Sequence, residues 1–310
     1  MKDYVVGIGA ANVDVYGKSK IKIRTHYDHP ADIFSNAGGV TRNILENYAL
    51  LGGEAKLLTA IGDDSYGHVI TDSCNRVGVD VSNVLIEKGA TSGVFMQIQD
   101  ENNDMYLAIC DMSILNYLNS KYINDNKDII LNARAVLFDP SISNDSIEAL
   151  LDLCCEKVET YCDPISDEYA LKIKPYISRI DCIKPNKTEL ECLSGIKINN
   201  DEDLLLAAKT VIEIGVKKLF VSLGKDGILY MDNAGTCIRK KLKPVENMVN
   251  ASGAGDALIA TILFGYSKEY AIEDIIEYGL AAGVAAIMSS STINPDLSLD
   301  LLNKILKENK

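Results

Sequence analysis

Histidine is scarce in this chain. There are three, His26, His29 and His68, so a metal site built on imidazoles is not expected. The eight cysteines run from Cys74 to Cys237, and apart from the adjacent Cys154 and Cys155 they show no C-x-x-C spacing. Neither a disulfide framework nor a zinc knuckle follows from such a pattern. They read as reduced thiols of a cytoplasmic protein. Long apolar runs are missing too. The stretch GLAAGVAAIMSSS, residues 279–291, falls short of the ~20 residues that span a bilayer. The start, MKDYVVGIGAANVDV, enters a strand-like pattern directly, and no signal peptide is expected. Positive charge is in deficit: 31 Lys and Arg against 44 Asp and Glu, a net charge of −13. That excludes the basic footprint of a nucleic-acid binder and anchoring to an anionic membrane, but not a local site for an anionic ligand. No G-x-x-x-x-G-K-[ST] loop occurs, and GIGAAN (residues 7–12) does not complete a G-x-G-x-x-G fingerprint. A P-loop and a dinucleotide-binding turn are therefore not expected.

Hydrophobic residues make up 47% of the 310, enough for a sizeable core, in two domains or one large α/β domain with an appendage. YVVGIGA (4–10) reads as a buried first strand that ends at glycines. VTRNILENYALLGG places Ile44, Tyr48 and Leu51 at helical spacing and stops at Gly52 and Gly53. KLLTAIG reads as a strand and YGHVITDSCNRVG as a helix. Residues 17–35 are polar with an alternating IKIR, the pattern of an exposed hairpin. SGVFMQIQD and NDMYLAICD flank Glu101, Asn102 and Asn103 as a second hairpin. Beyond residue 113, the short strands AVLFDP, VETYCDP, DCIKP and KLFVSLG alternate with helical stretches. Such alternation implies a parallel sheet covered on both faces. Three helices close the chain, at 255–267, 271–288 and 297–307. The expected division is a large α/β domain of residues 1–16, 36–90 and 114–310, with 17–35 and 91–113 pairing as a small β lid. The lid is expected over the C-terminal edge of the main sheet, where α/β folds bind ligands.

Five stretches could carry chemistry. In NASGAGDALIATILFGY (250–266), Gly253, Ala254 and Gly255 precede Asp256 and an apolar helix. Small residues let a phosphate approach the backbone, and the helix start offers unpaired N–H groups. An acid there can take a proton from an attacking hydroxyl; the plain alternative is a glycine turn followed by an ordinary first-turn acid. In NAGGVTRN, Gly38 and Gly39 open a helix and Asn43 sits on its first turn, suited to sugar hydroxyls or simply a helix start. Asn12 and Asp14, after the first strand, suit two ribose hydroxyls or a solvated loop. In KPNKTELE, Asn186 and Glu189 are three apart. They can orient Mg²⁺-bound water near phosphates, or form a capping box. In SLGKDG, Ser222, Gly224 and Gly227 permit close contact with a nucleotide, or make a β-turn between two strands.

Taken in this order, GGVTRN near the start and GAGDA near the end resemble the ribokinase-like (PfkB) carbohydrate kinases along essentially the whole chain. The resemblance implies a three-layer sandwich with a mainly parallel central sheet and a small β lid. Within the family, GGVTRNILENYALLG, AICDM, KPNKTELECLSGI and TINPDLS are most similar to the branch that phosphorylates pseudouridine. That implies transfer of the ATP γ-phosphoryl group to the 5′-hydroxyl of the nucleoside, with Mg²⁺. It assigns Asp256 as general base, and Gly253, Ala254 and Gly255 as the anion hole. Asn12, Asp14, Gly38, Gly39 and Asn43 would hold the ribose and Asp111 would meet the base. Asn186, Ser222, Gly224 and Gly227 would line the nucleotide, and Glu189 would serve the metal through water. A homodimer through the lid is implied as well. Asn250 and Ala251 stand where relatives have Asp-Thr; an uncharged Asn weakens a monovalent-cation site and leaves potassium activation open. The alternatives are another nucleoside or sugar kinase acting on ribose, fructose or adenosine, and a catalytically inactive nucleotide-binding regulator.

Overall fold

The computed structural model describes residues 3–243 and 252–309. Along these residues run strands β1 (Tyr4–Ile8), β2 (Asn12–Ser19), β3 (Ala31–Gly38), β4 (Glu54–Leu58), β5 (Ala60–Gly62), β6 (Leu85–Glu87) and β7 (Gly93–Gln99). They continue with β8 (Met105–Asp111), β9 (Ala135–Phe138), β10 (Glu159–Cys162), β11 (Cys182–Ile183), β12 (Lys218–Ser222), β13 (Ile228–Asp232) and β14 (Cys237–Lys240). The main sheet has the order β14-β13-β12-β11-β10-β9-β1-β4. It is parallel from β4 to β12, and β13 and β14 extend it antiparallel at one edge.

Alternation along the strands builds two cores. Val6, Ile8, Val136 and Phe138 point to one face, under helices Asn144–Cys154, Lys187–Ser194 and Asp201–Ile214. Val5, Ala135 and Leu137 point to the other, under helices Val40–Leu50, Ala254–Ser267 and Ile272–Ile287. With side chains leaving a strand on alternate sides, a sheet buried on both faces must be apolar throughout. Helix Ala254–Ser267 is apolar around most of its circumference because it lies between Val40–Leu50 and Ile272–Ile287. Among the described residues no helix is long and apolar enough to cross a membrane.

A second sheet has the order β3-β2-β7-β8. Its hairpins β2–β3 and β7–β8 are antiparallel, and β2 and β7 join them in parallel. Three expectations are corrected here. IKIR at 21–24 is not strand; it lies in the connection between β2 and β3. The hairpin also reaches back to Asn12 and forward to Gly38, so part of 1–16 and 36–90 belongs to the small sheet. Its root is buried, at Asn12 and Val13, and so reads like core. KLLTAIG is likewise two strands: Thr59 turns its hydroxyl to the Gly9 carbonyl (2.7 Å), and β5 leaves the main sheet to pair with β6.

Candidate functional site

The C-terminal ends of the parallel strands converge on a row of polar side chains. Asp139 follows β9, Asp163 follows β10, Lys184 follows β11, and Ser222 ends β12. The crevice beyond strand ends is where open α/β sheets bind ligands.

Facing that row is the start of helix Ala254–Ser267. Gly253 takes φ +79°, and a Cβ on it would lie 1.9 Å from the Thr292 carbonyl oxygen, so only glycine fits this cap. The first intrahelical bond is Ala257 N–H to Gly253 O, 2.9 Å. The amides of Ala254, Gly255 and Asp256 precede it and point out of the helix start. Lys184 closes on the same place: a Cβ on Gly255 would sit 3.2 Å from its Nζ. The Lys184 ammonium is buried and pairs with Asp163 at 3.1 Å. Burial pulls its pKa down, but Asp163, Glu189 and Asp256 outweigh that and hold it above the ordinary range.

Asp256 is half-buried on the first turn. Burial, reinforced by the Asp163 carboxylate, pushes its pKa up to about 7, against the bond from Asn43 and the charges of Lys184 and Arg42. Asn43 Nδ2 donates to Asp256 Oδ2 at 2.9 Å, across 213 residues of chain. Two of the motifs, from opposite ends of the sequence, therefore meet side chain to side chain. Asn43 is held by helix Val40–Leu50, whose cap Gly39 takes φ +99°; a Cβ there would lie 2.5 Å from Ala10 O. Asn12 Nδ2 donates to Asp14 Oδ1 at 2.7 Å, and a Cβ on Gly38 would fall 2.4 Å from the Asp14 carboxylate oxygens. Both glycines thus answer to close approach, one of backbone and one of an acid. Burial raises the pKa of Asp14, opposed by the bond from Asn12.

Asn186, Ser222 and Gly224 line one cavity of about 390 Å³, together with Lys187, Asn199 and Arg239. Gly227 does not line it; its lack of a side chain is accounted for by Lys240 O, 2.0 Å from where a Cβ would stand. Asn186 and Glu189 form a full capping box on helix Lys187–Ser194. Asn186 N–H and Nδ2 each donate to the Glu189 carboxylate at 2.8 Å. Burial, with Asp163 near, pushes the pKa of Glu189 up to about 7.

Asp111 is not brought to the others. The register Val13–Val94–Asp111 places it on the face of the small sheet opposite Asn12 and Asp14. Its exposed carboxylate accepts from Ser113 N–H at 2.9 Å. The row that shares the Asp14 face is Asn36, Phe95 and Cys110. Asn250 and Ala251, where the cation-site departure falls, lie outside the described residues. Lys184, Asp163 and Arg42 were not singled out from the sequence as site residues. The signal for Lys184 was its place directly after an apolar strand; Arg42 resembles a solvent-facing charge in a helix, yet it is almost wholly buried.

The comparisons agree with this fold. The model of the pfkB family carbohydrate kinases matches residues 2–299. A pseudouridine kinase of Escherichia coli is 33% identical over 96% of this chain and 95% of its own. A candidate sugar kinase from Clostridium perfringens superposes with a TM-score of 0.89 at 32% identity, over 99% of this chain and 96% of that one. The ribokinase of Arabidopsis thaliana, solved with ribose and ATP, shares the fold at a TM-score of 0.85 and 21% identity, over 99% of each chain. The chain belongs to the pfkB family of carbohydrate kinases, phosphotransferases that act on an alcohol group of a sugar or nucleoside.

Proposed function

We propose that this kinase transfers the γ-phosphoryl group of ATP to the 5′-hydroxyl of pseudouridine, giving pseudouridine 5′-phosphate and ADP. The observation that carries the chemistry is the contact between Asn43 and Asp256 at an uncapped helix start, beside the Lys184 ammonium. Asp256 removes the proton from the acceptor hydroxyl as its oxygen attacks phosphorus; the β–γ bridging oxygen leaves with ADP. The amides of Ala254, Gly255 and Asp256, with Lys184, neutralise charge on the transferring group. The triphosphate lies towards the cavity of Asn186, Ser222 and Gly224, with Gly227 shaping the turn beneath it. Among the described residues no cluster of three or more acids, histidines or cysteines could hold a metal. Asn186 and Glu189, at the edge of that cavity, would hold the water of a Mg²⁺ that arrives with the phosphates, and the ion would neutralise charge on the phosphate oxygens.

The ribose is held by Asn12, Asp14 and the backbone at Gly38 and Gly39. The row Asn36, Phe95 and Cys110 faces the base, and the small sheet acts as the lid that keeps water out. The identity of the nucleoside rests on the 33% identical relative, which spans nearly the whole chain. ADP release with ATP, Mg²⁺ and a panel of acceptors tests it. Pseudouridine is expected to be turned over at least about 100-fold better than ribose, fructose or adenosine, since a site with polar groups placed for one acceptor leaves them unpaired with another. A different best acceptor moves the assignment within the family; no turnover of any acceptor indicates a nucleotide-binding regulator.

A homodimer through the small sheet belongs to the same reading. Its face away from Asp14 exposes Ile33, Leu107 and Ile109, the first by 75%. Exposed apolar sheet surface of this kind is covered by a partner. Light scattering is expected to show a dimer that Ile109→Lys dissociates; a monomer at high concentration rejects it.

A further inference from the structure

Arg42 is one residue from Asn43 but its side chain goes elsewhere. It is 1% exposed, and all its donors are in use. Nε donates to Gly38 O at 2.7 Å and one terminal nitrogen to Ala37 O at 2.8 Å. That same nitrogen also donates to Asn43 Oδ1. The other terminal nitrogen pairs with Glu46 and lies 3.5 Å from Ser73 Oγ. Ser73 in turn donates to Glu46 at 2.7 Å. The fork is therefore locked between the last carbonyls of β3 and an acid one helical turn ahead.

An amide has one acceptor end and one donor end. With its oxygen taken by the guanidinium, Asn43 can present only its NH₂ to Asp256. The opposite orientation would set two acceptor oxygens against each other. We infer that Arg42 is a positioning residue of the phosphoryl transfer: it fixes the direction of the Asn43 amide, and through it the Asp256 carboxylate, relative to the end of β3 that packs on Asp14. This inference rests on Asp256 being the general base. Arg42 does so through the fork rather than through charge alone, because a point cation cannot serve Ala37, Gly38, Asn43 and Glu46 together.

Arg42→Lys separates the two, since lysine keeps the charge beside Glu46 and loses the fork. Asp256 is faced by Asp163 and Lys184 from the strand ends and by Arg42 and Asn43 from helix Val40–Leu50, and Arg42→Lys leaves every one of these charges in place. The expected result is a kcat lowered by about 10- to 100-fold, the scale of a small misplacement at a reacting group. KM for ATP should stay within about twofold, and the acid limb of kcat should move up by about half a pH unit as the bond from Asn43 is lost. In an Asn43→Ala background the same substitution should change kcat by about twofold at most and leave the limb in place, because residues acting through one contact are not additive. Equal effects in both backgrounds, or unchanged activity in Arg42→Lys, overturn the inference. If Arg42→Lys does not fold, Arg42→Gln/Glu46→Gln removes both charges of the buried pair and is read for kcat in the same two backgrounds. Asp256→Asn, measured alongside, keeps the premises apart. Full activity there rejects the base itself, whereas its loss together with additive Arg42 effects rejects only the positioning role.

Discussion

Replacing Asp256 by asparagine is expected to inactivate the protein and stabilise it at once. Burial and Asp163 displace the Asp256 titration from 3.8 up to about 7. An acid that holds its proton more tightly when folded contributes its full stability below the unfolded-state value, near pH 4. That contribution is lost as the pH rises to about 7. The displacement corresponds to about 4 kcal/mol between the two protonation states. Asparagine has the same shape and no charge, and its oxygen can still accept from Asn43. Thermal melts without ligand, at pH 5 and pH 8, read the difference. At pH 8 the variant should melt about 6 °C above the parent; at pH 5 about 40% of that gap should remain. Glu189 titrates in the same range but is present in both proteins and cancels. In the same samples kcat should fall by about 100-fold or more. A variant that melts no higher than the parent at pH 8, or a gap that does not widen from pH 5 to pH 8, refutes the argument that an ionised acid is held here against its preference.

Five further outcomes follow from the same geometry. With Asp256 titrating at about 7, the ionised base is the minor form in acid. The kcat/KM profile for the acceptor should therefore drop to about one tenth of its plateau at pH 6, and a flat profile from pH 5.5 to 8 would remove Asp256 as base. Lys184→Met should lower kcat by about 100-fold or more by taking a cation from the transferring group; a loss confined to thermal stability, with kcat kept, would make the lysine merely structural. Gly253→Ala forces a Cβ against Thr292 O at 1.9 Å and should lower kcat at least about tenfold with a fall in Tm, so wild-type rates would mean that the helix start is not used. Asp14→Ala should raise KM for the acceptor by about 10- to 100-fold, the worth of hydrogen bonds to a charged group. Asp111→Ala, on the other face of the sheet, should leave KM within about twofold.

The order of elements was legible because most of the parallel strands are short apolar runs that stop at a polar residue, and Gly39 and Gly253 each open a helix. The candidate residues at Asn43 and Asp256 were legible one by one. Their contact was not, since nothing local encodes a meeting across 213 positions. The small sheet was the hardest part. Strand β8 is apolar on both faces, with Tyr106, Leu107 and Ile109 all exposed, so alternation could not tell which side Asp111 takes, and only the pairing with Val94 decides it. IKIR alternates but lies beyond the last pair of the ladder, Ser19 with Ala31, and stays out of the sheet. Asn186 and Glu189 carried two readings, and the capping box is formed; the same side chains can still face a phosphate. Arg42 carries no sequence signal for a site role because a helical arginine ordinarily reaches solvent, and its burial depends on Glu46, Ser73 and the end of β3 arriving together.

Residues 9–11 alone join β1 to β2. That connector is pinned: Ala10 N–H donates to Asp139 Oδ2 at 2.8 Å, and the backbone at Gly39 presses on Ala10. The near end of the small sheet is thus riveted to the frame, and any swing must have its fulcrum further out, past Asp14. On the proposed reading, Asp14 would then keep a constant span to Asp256 wherever the outer halves of β2, β3, β7 and β8 move. Sequence drift in those outer halves can retune which molecule is admitted without altering the reaction coordinate, which is how one frame can serve many acceptors.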